Sequence, residues 1–439
     1  MLKAVEYEKP RSVKISYAPK GAFFASGLEY NPPARGGWNI VHTGMLIPES
    51  HQIFACAQGC LRGVILTAAE MNAQERMSWI SVSENDMFDG SLESDIIDGV
   101  SEILEKLDKK PRAILLYLSC IHLFAGCDFG AIIDELRTKY PDTDFTDCYM
   151  TPTMRTTVTP DVKMRTQLYS LLKKMPLNKK SVSILGNDMY PDTDSELFDI
   201  LKNGGFDVKD IHFCNTYDDY LKMAESAFNI TTRPTGKAGG ETLSDRFGAE
   251  HIYLPAAFDF DEIEENYKTL CGKLGIAMPD LSENRAEAEI MLQNAKNIIG
   301  DTPIAIDFLA VARQFQLAKL LTEYGFNVKY IIADTLNYEE EAAFDYLAEN
   351  CSQIEIFSSV NVNMLGIADE KHEKLLSIGQ KGAFYFAADN FVNMVSGNGL
   401  YGYKGIAKLA ELMIDAFENP KNRKEVIKLK GHTCESCLV

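Results

Sequence analysis

The sequence predicts an α/β protein of three similar units, each with a parallel sheet flanked by helices. The main observation is a pattern that occurs three times, namely an apolar strand, a loop, an amphipathic helix, a Gly or Pro stop and a second strand. The strands are continuous apolar runs, as expected when helices cover both faces of a parallel sheet. The length agrees, because 439 residues suggest about three domains of roughly 150 residues each.

The three units are predicted in chain order from these runs. Each has a strand, a helix and a second strand, and the ranges are 113–120, 128–139 and 144–149, then 181–186, 195–202 and 208–213, then 303–307, 310–323 and 327–333. Parallel strands joined in this way require right-handed crossovers. We place the domain limits at 1–160, 161–284 and 285–439, and the last domain also carries a helix at 406–417 and a basic tail.

The charge of the chain excludes some classes of partner. Its formal net charge is −19 and its pI is near 4.9, whereas a protein that binds nucleic acid or an anionic membrane needs clustered Lys and Arg. No run approaches the roughly 18 apolar residues of a membrane span, and the N-terminus lacks a signal-peptide pattern. We therefore expect a cytoplasmic protein with a small-molecule substrate, no nucleic acid and no membrane. Ten cysteines are too few for a disulfide framework in a chain of this length.

Four cysteines of the first domain, Cys56, Cys60, Cys120 and Cys127, predict an iron-sulfur site. Cys120 closes the apolar run that begins at Ala113, and ligands gather beyond the carboxyl ends of strands in parallel sheets. The amide groups of a following helix lower the pKa of a thiol there, and thiolates are the ligands of iron-sulfur clusters. The alternative is that each cysteine is a small buried hydrophobic residue. Core packing or an accidental surface position is preferred for four isolated cysteines, namely Cys148, Cys214, Cys271 and Cys351.

The local sequence leaves the geometry of these cysteines open. Cys56 and Cys60 precede or begin an Ala- and Met-rich helix, and they share one face if that helix includes both. In the apolar loop after Cys120, His122 is a candidate iron ligand, but a hydrogen-bonded structural role is preferred. Asp128 is suited to capping the next helix.

Two further motifs are weaker. Cys434 and Cys437 have metal-type spacing with His432, but a zinc site needs four ligands, so a redox-active or intermolecular thiol pair is an equal alternative. The segment Arg233–Gly240 looks suited to phosphate, yet it does not match G-x-x-x-x-G-K-[ST] and follows no clear strand. ATP hydrolysis by a P-loop is therefore rejected, and the dinucleotide motif G-x-G-x-x-G is also missing.

Several motifs follow one another along the chain. They are Gln58-Gly-Cys60, Ser83-Glu-Asn-Asp86 leading to Gly90, Ser119-Cys120 after a strand, Ile184-Leu-Gly186, and Gly402-Tyr-Lys-Gly405 before the last helix. This ordered set resembles the nitrogenase component 1 superfamily over most of the chain. That superfamily contains molybdenum-iron protein subunits, their cofactor-assembly paralogues and nitrogenase-like tetrapyrrole reductases.

The resemblance implies a fold, a cofactor and partners. The fold is three Rossmann-like domains, with an iron-sulfur cluster, 4Fe-4S or larger, at a subunit interface. Cys60 and Cys120 correspond most directly to the family cysteines that hold this cluster. The implied enzyme has two components, in which a separate ATP-dependent iron-sulfur reductase delivers electrons to a homo- or heterodimer of paralogous subunits.

The sequence also departs from the family pattern. A cysteine that family subunits often carry between the equivalents of Cys60 and Cys120 is missing from residues 61–119. Cys56 or Cys127 can supply the third ligand, or a second chain can complete a four-iron cluster with two thiolates from each. The stretches 241–247 and 395–401 contain neither the cysteine nor the histidine that hold the nitrogen-reducing cofactor, so dinitrogen reduction is not expected.

Three hypotheses follow. The leading one is the catalytic subunit of a nitrogenase-like reductase, which passes electrons through its cluster to an unknown substrate that is hard to reduce. The second is a scaffold on which a metallocofactor is assembled before transfer. The third is a metal-free α/β binding protein that keeps the fold and has lost the cluster.

Overall fold

The computed structural model describes residues 12–153, 158–369 and 373–428, and three sheets flanked by helices organise them. The first described strand, β1 (Ser12–Lys14), pairs antiparallel with a strand of the third sheet, so the amino-terminal arm joins the last part of the chain. The other strands pair in parallel and fall in chain order into three units. The predicted α/β fold with parallel sheets flanked by helices is confirmed.

The first unit is a four-stranded sheet with helices on both faces. Its elements are α1 (Ile40–Gly44), β2 (Ser50–Cys56), α2 (Gln58–Glu70), β3 (Met77–Ser81), α3 (Glu84–Asp89), α4 (Leu92–Lys106), β4 (Ala113–Ser119), α5 (Cys120–Ala125), α6 (Phe129–Lys139) and β5 (Asp144–Met150). The spatial order is β3-β2-β4-β5. Every residue of β2 and β4 is buried, because α4 and α6 cover one face of the sheet and α2 covers the other. Asp128 caps α6 as predicted, since its side chain accepts a hydrogen bond from the Ala131 amide (3.0 Å).

The second unit repeats this arrangement in the order β7-β6-β8-β9. Its elements are α7 (Pro160–Gln167), β6 (Asn178–Leu185), α8 (Glu196–Asn203), β7 (Asp207–Asp210), α9 (Tyr217–Leu221), β8 (Ser226–Thr231), α10 (Pro234–Phe247), β9 (Glu250–Tyr253) and α11 (Phe260–Leu274). The predicted strand at 208–213 is wrong at its end, where Ile211–Phe213 forms a 3₁₀ turn. The cause is local, because the Asp210 carboxylate accepts a hydrogen bond from the His212 amide (2.9 Å).

The third unit has the spatial order β1-β12-β11-β10-β13-β14. Its elements are α12 (Ser282–Ile299), β10 (Ile304–Asp307), α13 (Gln314–Glu323), β11 (Val328–Ile332), α14 (Glu341–Asn350), β12 (Glu355–Phe357), β13 (Leu376–Ile378), α15 (Gln380–Tyr385), β14 (Phe391–Val392) and α16 (Gly402–Glu418). The predicted helix at 310–323 begins later than expected, at Gln314. Glu340 accepts hydrogen bonds from the Phe315 and Gln316 amides there (2.7 and 3.1 Å) and so satisfies the first turn of α13.

Two other expectations bear on the fold. The residue limits of the three domains stay a prediction, and the motif of Cys434, Cys437 and His432 lies outside the described residues. No helix in the described part of the chain is long and apolar enough to cross a membrane.

Each sheet has one point where the chain changes its direction of travel across the sheet. These switch points lie between the neighbouring strands β2 and β4, β6 and β8, and β10 and β13. The loops leave such a pair of strands in opposite directions and open a crevice beyond their carboxyl ends, where ligands of open α/β sheets bind. The three switch points are therefore the first places to search for a functional site.

Candidate functional site

Three of the four predicted cysteines lie at the switch point of the first sheet. Cys56 is the last residue of β2, Cys60 lies in the first turn of α2, and Cys120 begins α5 directly after β4. Ala55 pairs with Leu118 across the two strands, so their carboxyl ends are one strand spacing, about 4.8 Å, apart. The fold therefore brings together the segments that carry these cysteines, and we call Cys56, Cys60 and Cys120 the cysteine site.

The three thiols differ in exposure. Cys56 is buried at the end of its strand, whereas Cys60 is exposed and Cys120 is partly exposed. Burial raises the pKa of Cys56 to about 12, and charges at Cys60 and Cys120 add to the effect. Cys56 is therefore a neutral thiol in the metal-free chain, and its sulfur lies within electrostatic reach of the other two.

Cys127 is not drawn into this group. It follows Gly126, whose positive φ of 72° ends α5, and its amide donates a hydrogen bond to the His122 carbonyl (3.0 Å). The six residues of α5 separate it from Cys120 by about 9 Å of helix. Its pKa is raised by burial and then by Glu93, and no cysteine contributes. A role for Cys127 as a ligand remains a prediction.

His122 has the structural role that the sequence analysis preferred. The ring is completely buried, and its Nδ1 accepts a hydrogen bond from the Ser119 amide at 3.2 Å. Burial lowers the pKa of His122, so the imidazole is neutral at physiological pH. The histidine closes the first turn of α5 and holds Cys120 at the end of β4.

Exposed apolar side chains lie on two short helices that begin at the same edge of the sheet as the cysteine site. The helices α3 and α5 follow β3 and β4, which flank β2, so both helices begin at the edge of the sheet that carries the cysteines. α3 buries none of its residues, and α5 buries only His122. Phe88 is 86% exposed and Phe124 is 71% exposed, and their neighbours Met87 and Leu123 are also exposed. Such an apolar edge is typical of a protein interface.

The donor set fits a shared cluster better than a single metal ion. Within residues 12–153, 158–369 and 373–428, no three His, Cys, Asp or Glu side chains form a group that could hold one metal ion. Thiols are nevertheless the ligands that iron-sulfur clusters use, and two of the three at the cysteine site are open to the surface. A cluster at this position would need ligands from outside the chain.

The switch point of the second sheet carries a buried charge cluster, which the sequence analysis missed. Asp188 follows β6, and its fully buried carboxylate has Arg165 Nη2 at 3.2 Å and Arg233 Nη1 at 3.6 Å. The side-chain amide of Asn39 donates a hydrogen bond to the same carboxylate (3.2 Å). Burial favours a raised pKa, but Arg165, Arg233 and Arg35 outweigh it and hold the pKa of Asp188 well below its ordinary value of 3.8. One charged carboxylate thus faces several guanidinium groups.

Two glycines allow this cluster to form. Gly186, at the end of β6, has a φ of 82°, and a Cβ atom there would lie 2.5 Å from the Cα of Gly236 in the first turn of α10. The two segments touch backbone to backbone. β8 directly precedes Arg233, so the expectation that this segment follows no clear strand is wrong. The rejection of a P-loop rests on the motif and is unaffected. In the sequence, the signal for this site was a strand followed by an arginine, a proline and a glycine.

A cleft opens between this cluster and the third unit. It encloses about 790 Å³ including its open mouth. The wall is mostly apolar, and its larger side chains include Ile184, Leu197, Phe198, Phe258, Met394 and Leu400. The polar residues of the wall include Ser195, Arg233 and Ser396. We call this cleft, with Asp188 and its arginines, the arginine cleft.

The switch point of the third sheet is occupied by contacts within the chain. Asp307, buried at the end of β10, accepts hydrogen bonds from the amides of Leu309 (2.9 Å) and Lys381 (2.6 Å). Beside it, Gln380 accepts a hydrogen bond from the Arg35 amide (3.0 Å). The amino-terminal arm therefore ties the third sheet to the arginine cleft, because the side chain of Arg35 lies near Asp188.

Comparison with known proteins places this geometry in context. A family model described as nitrogenase component 1 type oxidoreductase matches residues 41–418. Among solved structures 64 chains match, and one described as nitrogenase Cp1 at pH 6.5 has a TM-score of 0.67 at 16% identity, over 92% of this chain and 96% of that chain. Another, described as nitrogenase Cp1 at pH 5, has a TM-score of 0.57 at 13% identity, over 90% of each chain. No curated protein matches.

Proposed function

Because this chain belongs to the nitrogenase component 1 type oxidoreductase family, we propose that it is the catalytic subunit of a nitrogenase-like reductase. In this proposal Cys60 and Cys120, together with Cys56, hold part of an iron-sulfur cluster at an interface with a second, identical or paralogous subunit. The observation that carries the proposal is the convergence of these three cysteines at one switch point, with two of them open to the surface.

The position of the thiols supports cluster binding. Cys60 lies in the first turn of α2, a helix of 13 residues, and the unpaired amides of that turn would attract an anionic cluster. Cys120 is held at the end of β4 by the turn that His122 closes. A bound cluster would supply one-electron transfer at low potential, and the chain would orient and partly bury its ligands.

The apolar edge supports a subunit interface. Phe88 and Phe124 lie on the short helices α3 and α5, and a partner that covers them would remove large apolar surfaces from water. The same contact would bring further thiolates to the cluster, since this chain offers at most three at the cysteine site. A homo- or heterodimer would satisfy both requirements.

A separate reductase would supply the electrons. The 439-residue sequence contains no P-loop motif, so coupling to ATP hydrolysis would require another protein. The substrate of this chain would be a small molecule. The arginine cleft supports this part of the proposal, because it is concave, mostly apolar and lined by a few polar groups.

The test is purification without air, followed by three measurements. We expect iron and sulfide in stoichiometric amounts per chain, an electron paramagnetic resonance signal after reduction with dithionite, and substrate reduction when a nitrogenase-type reductase and ATP are added. Protein that contains no iron when prepared under argon would refute the proposal. A cluster that is transferred to a second protein without any turnover would instead fit an assembly scaffold of the same superfamily.

A further inference from the structure

We propose that the arginine cleft binds the carboxylate group of an apolar organic substrate, with Arg233 as the residue that recognises it. The inference rests on the proposed function, since it names the substrate class of the reductase, but it concerns a different switch point from the cysteine site. Carboxylates and guanidinium groups form strong, often bidentate hydrogen bonds.

The pairing of Arg233 within the chain is incomplete. Its Nη1 donates a hydrogen bond to the Ser396 carbonyl and lies 3.6 Å from Asp188 Oδ1, but its buried Nε has no acceptor in the described part of the chain. Asp188 is also the closer partner of Arg165, at 3.2 Å. One carboxylate is therefore divided between two arginines, which leaves Arg233 with unused donor capacity.

A second, independent polar atom lies in the same wall. Ser195 is 1% exposed and occupies the N-cap position of α8, yet its hydroxyl has no hydrogen-bond partner among the residues that the structure describes. A buried hydroxyl without a partner costs free energy unless a ligand or water satisfies it. Because Ser195 and Arg233 both line the cleft, the oxygens of one carboxylate can serve both.

The other charges near the cleft are already paired. Asp192 lines the wall and has Lys408 at 3.6 Å, and Asp161 has Arg165 at 3.6 Å. These carboxylates therefore do not complete the coordination of Arg233. Most of the remaining wall is apolar, so the body of the ligand should be mostly apolar as well.

The loop that closes the cleft on the side of the third unit is held firmly in place. Gly399 has a φ of 73°, and a Cβ atom there would lie 2.1 Å from the Tyr190 carbonyl oxygen. The Ser396 hydroxyl donates a hydrogen bond to Asp188 (3.2 Å). The cleft is therefore preformed between two units.

The experiment compares two probes of the same shape, benzoate and benzamide, by isothermal titration calorimetry. Both are titrated into the purified full-length protein, with and without iron. We expect the wild type to bind benzoate about tenfold or more tightly than benzamide, because only benzoate provides a charge for Arg233. Equal affinities, or no benzoate binding at millimolar concentrations, would overturn the proposal.

Variants locate the binding. Arg233→Gln should weaken benzoate binding about tenfold or more and leave benzamide within about twofold, whereas Arg233→Lys should retain part of the preference. Ser195→Ala should cause a smaller loss, of about threefold, and it keeps the test valid if Arg233→Gln does not fold. Arg285→Gln, which removes a surface arginine of α12 paired with Asp261, is the matched control and should change nothing.

The two proposals fail in different ways. Benzoate binding does not require iron, so protein that contains no iron when purified under argon, but still prefers benzoate, would refute the proposed function and leave this inference intact. A protein that contains iron and reduces a substrate, but binds benzoate no better in the wild type than in Arg233→Gln, would refute the inference alone.

Discussion

The cysteine site and the arginine cleft occupy the same topological position in two successive units, yet their surroundings are opposite. Beside the first switch point, β3 and β4 are followed by α3 and α5, two helices of six residues that leave apolar side chains in solvent. At the second switch point, β6 and β8 are followed by α8 and α10, with 8 and 14 residues, which pack into the fold. The crevice that a parallel sheet creates is therefore general, and the helix after each strand decides what it can bind.

The cysteine site and the arginine cleft differ in what they lack. The cysteine site offers thiols at an open, apolar edge, so it lacks further ligands and a cover, and both can come from a second chain. The arginine cleft is enclosed by its own chain and holds a charged carboxylate among guanidinium groups. It lacks a negatively charged ligand. The predictions below test this contrast.

The largest expected effect concerns iron. Cys60→Ser and Cys120→Ser should each cause near-complete loss of iron from protein purified under argon, because each removes an open thiolate of the cysteine site. Iron and sulfide per chain are the measurement. Cys214→Ser should retain iron near the wild-type amount, since Cys214 lies in the second unit. Retention in all three variants would contradict the ligand assignment.

The second prediction concerns the buried charge of the arginine cleft. Asp188→Asn should lower the free energy of unfolding by about 3–5 kcal/mol, because it leaves Arg165 and Arg233 buried without their carboxylate. Urea unfolding at neutral pH is the measurement. Asp301→Asn removes an exposed partner of Lys296 and should leave stability unchanged. Equal stability of the two variants would show that the charge cluster is not formed as described.

The third prediction separates the two regions by their need for a partner chain. Phe88→Asp and Phe124→Asp should each weaken subunit association about tenfold or more, because a charge would be buried in the interface. Sedimentation velocity of iron-loaded protein is the measurement. Ile290→Asp changes an apolar residue of α12 that is 59% exposed and should have no effect. The same degree of association in all three variants would exclude this edge as the interface.

The smallest expected effect is a gradual change of the unfolding free energy with pH. The folded pKa of Asp188 lies below its unfolded value of 3.8, so its contribution to stability is complete above that value and is lost as the pH falls towards the folded pKa. The difference in unfolding free energy between wild type and Asp188→Asn should therefore be constant from neutral pH to about pH 5 and shrink at about pH 3. A difference that grows on acidification would have the wrong sign.

The sequence predicts those parts of the fold that have a strong local pattern. The continuous apolar runs of β4, β6 and β10 and the helices between them were recognised, because burial on both faces leaves a simple signal. β8 was missed, since Asn229 and Thr231 interrupt its apolar pattern. The pairing of β1 with β12 was also missed, because nothing local in three residues specifies a partner so distant in the chain.

The candidate sites also divide into features that the local sequence predicts and features that it does not. The cysteine site could be predicted in part because Cys120 comes at the end of a strong apolar strand run, and ligands gather at that edge of a parallel sheet. The separation of Cys127 could not, since it depends on the helical course of the segment after Cys120. The arginine cleft was missed because its charged residues come from four separate segments, and only folding brings Arg35 and Arg233 to the same carboxylate.

The central claim is that the thiols of the cysteine site bind iron where two chains meet. Anomalous scattering at the iron edge, from crystals grown under argon, tests it most directly. The account predicts an iron peak within bonding distance of the sulfurs of Cys60 and Cys120, at a contact formed by α3 and α5 with a second subunit. Crystals of freshly prepared protein with no iron peak there, and with Phe88 and Phe124 exposed to solvent, would contradict it.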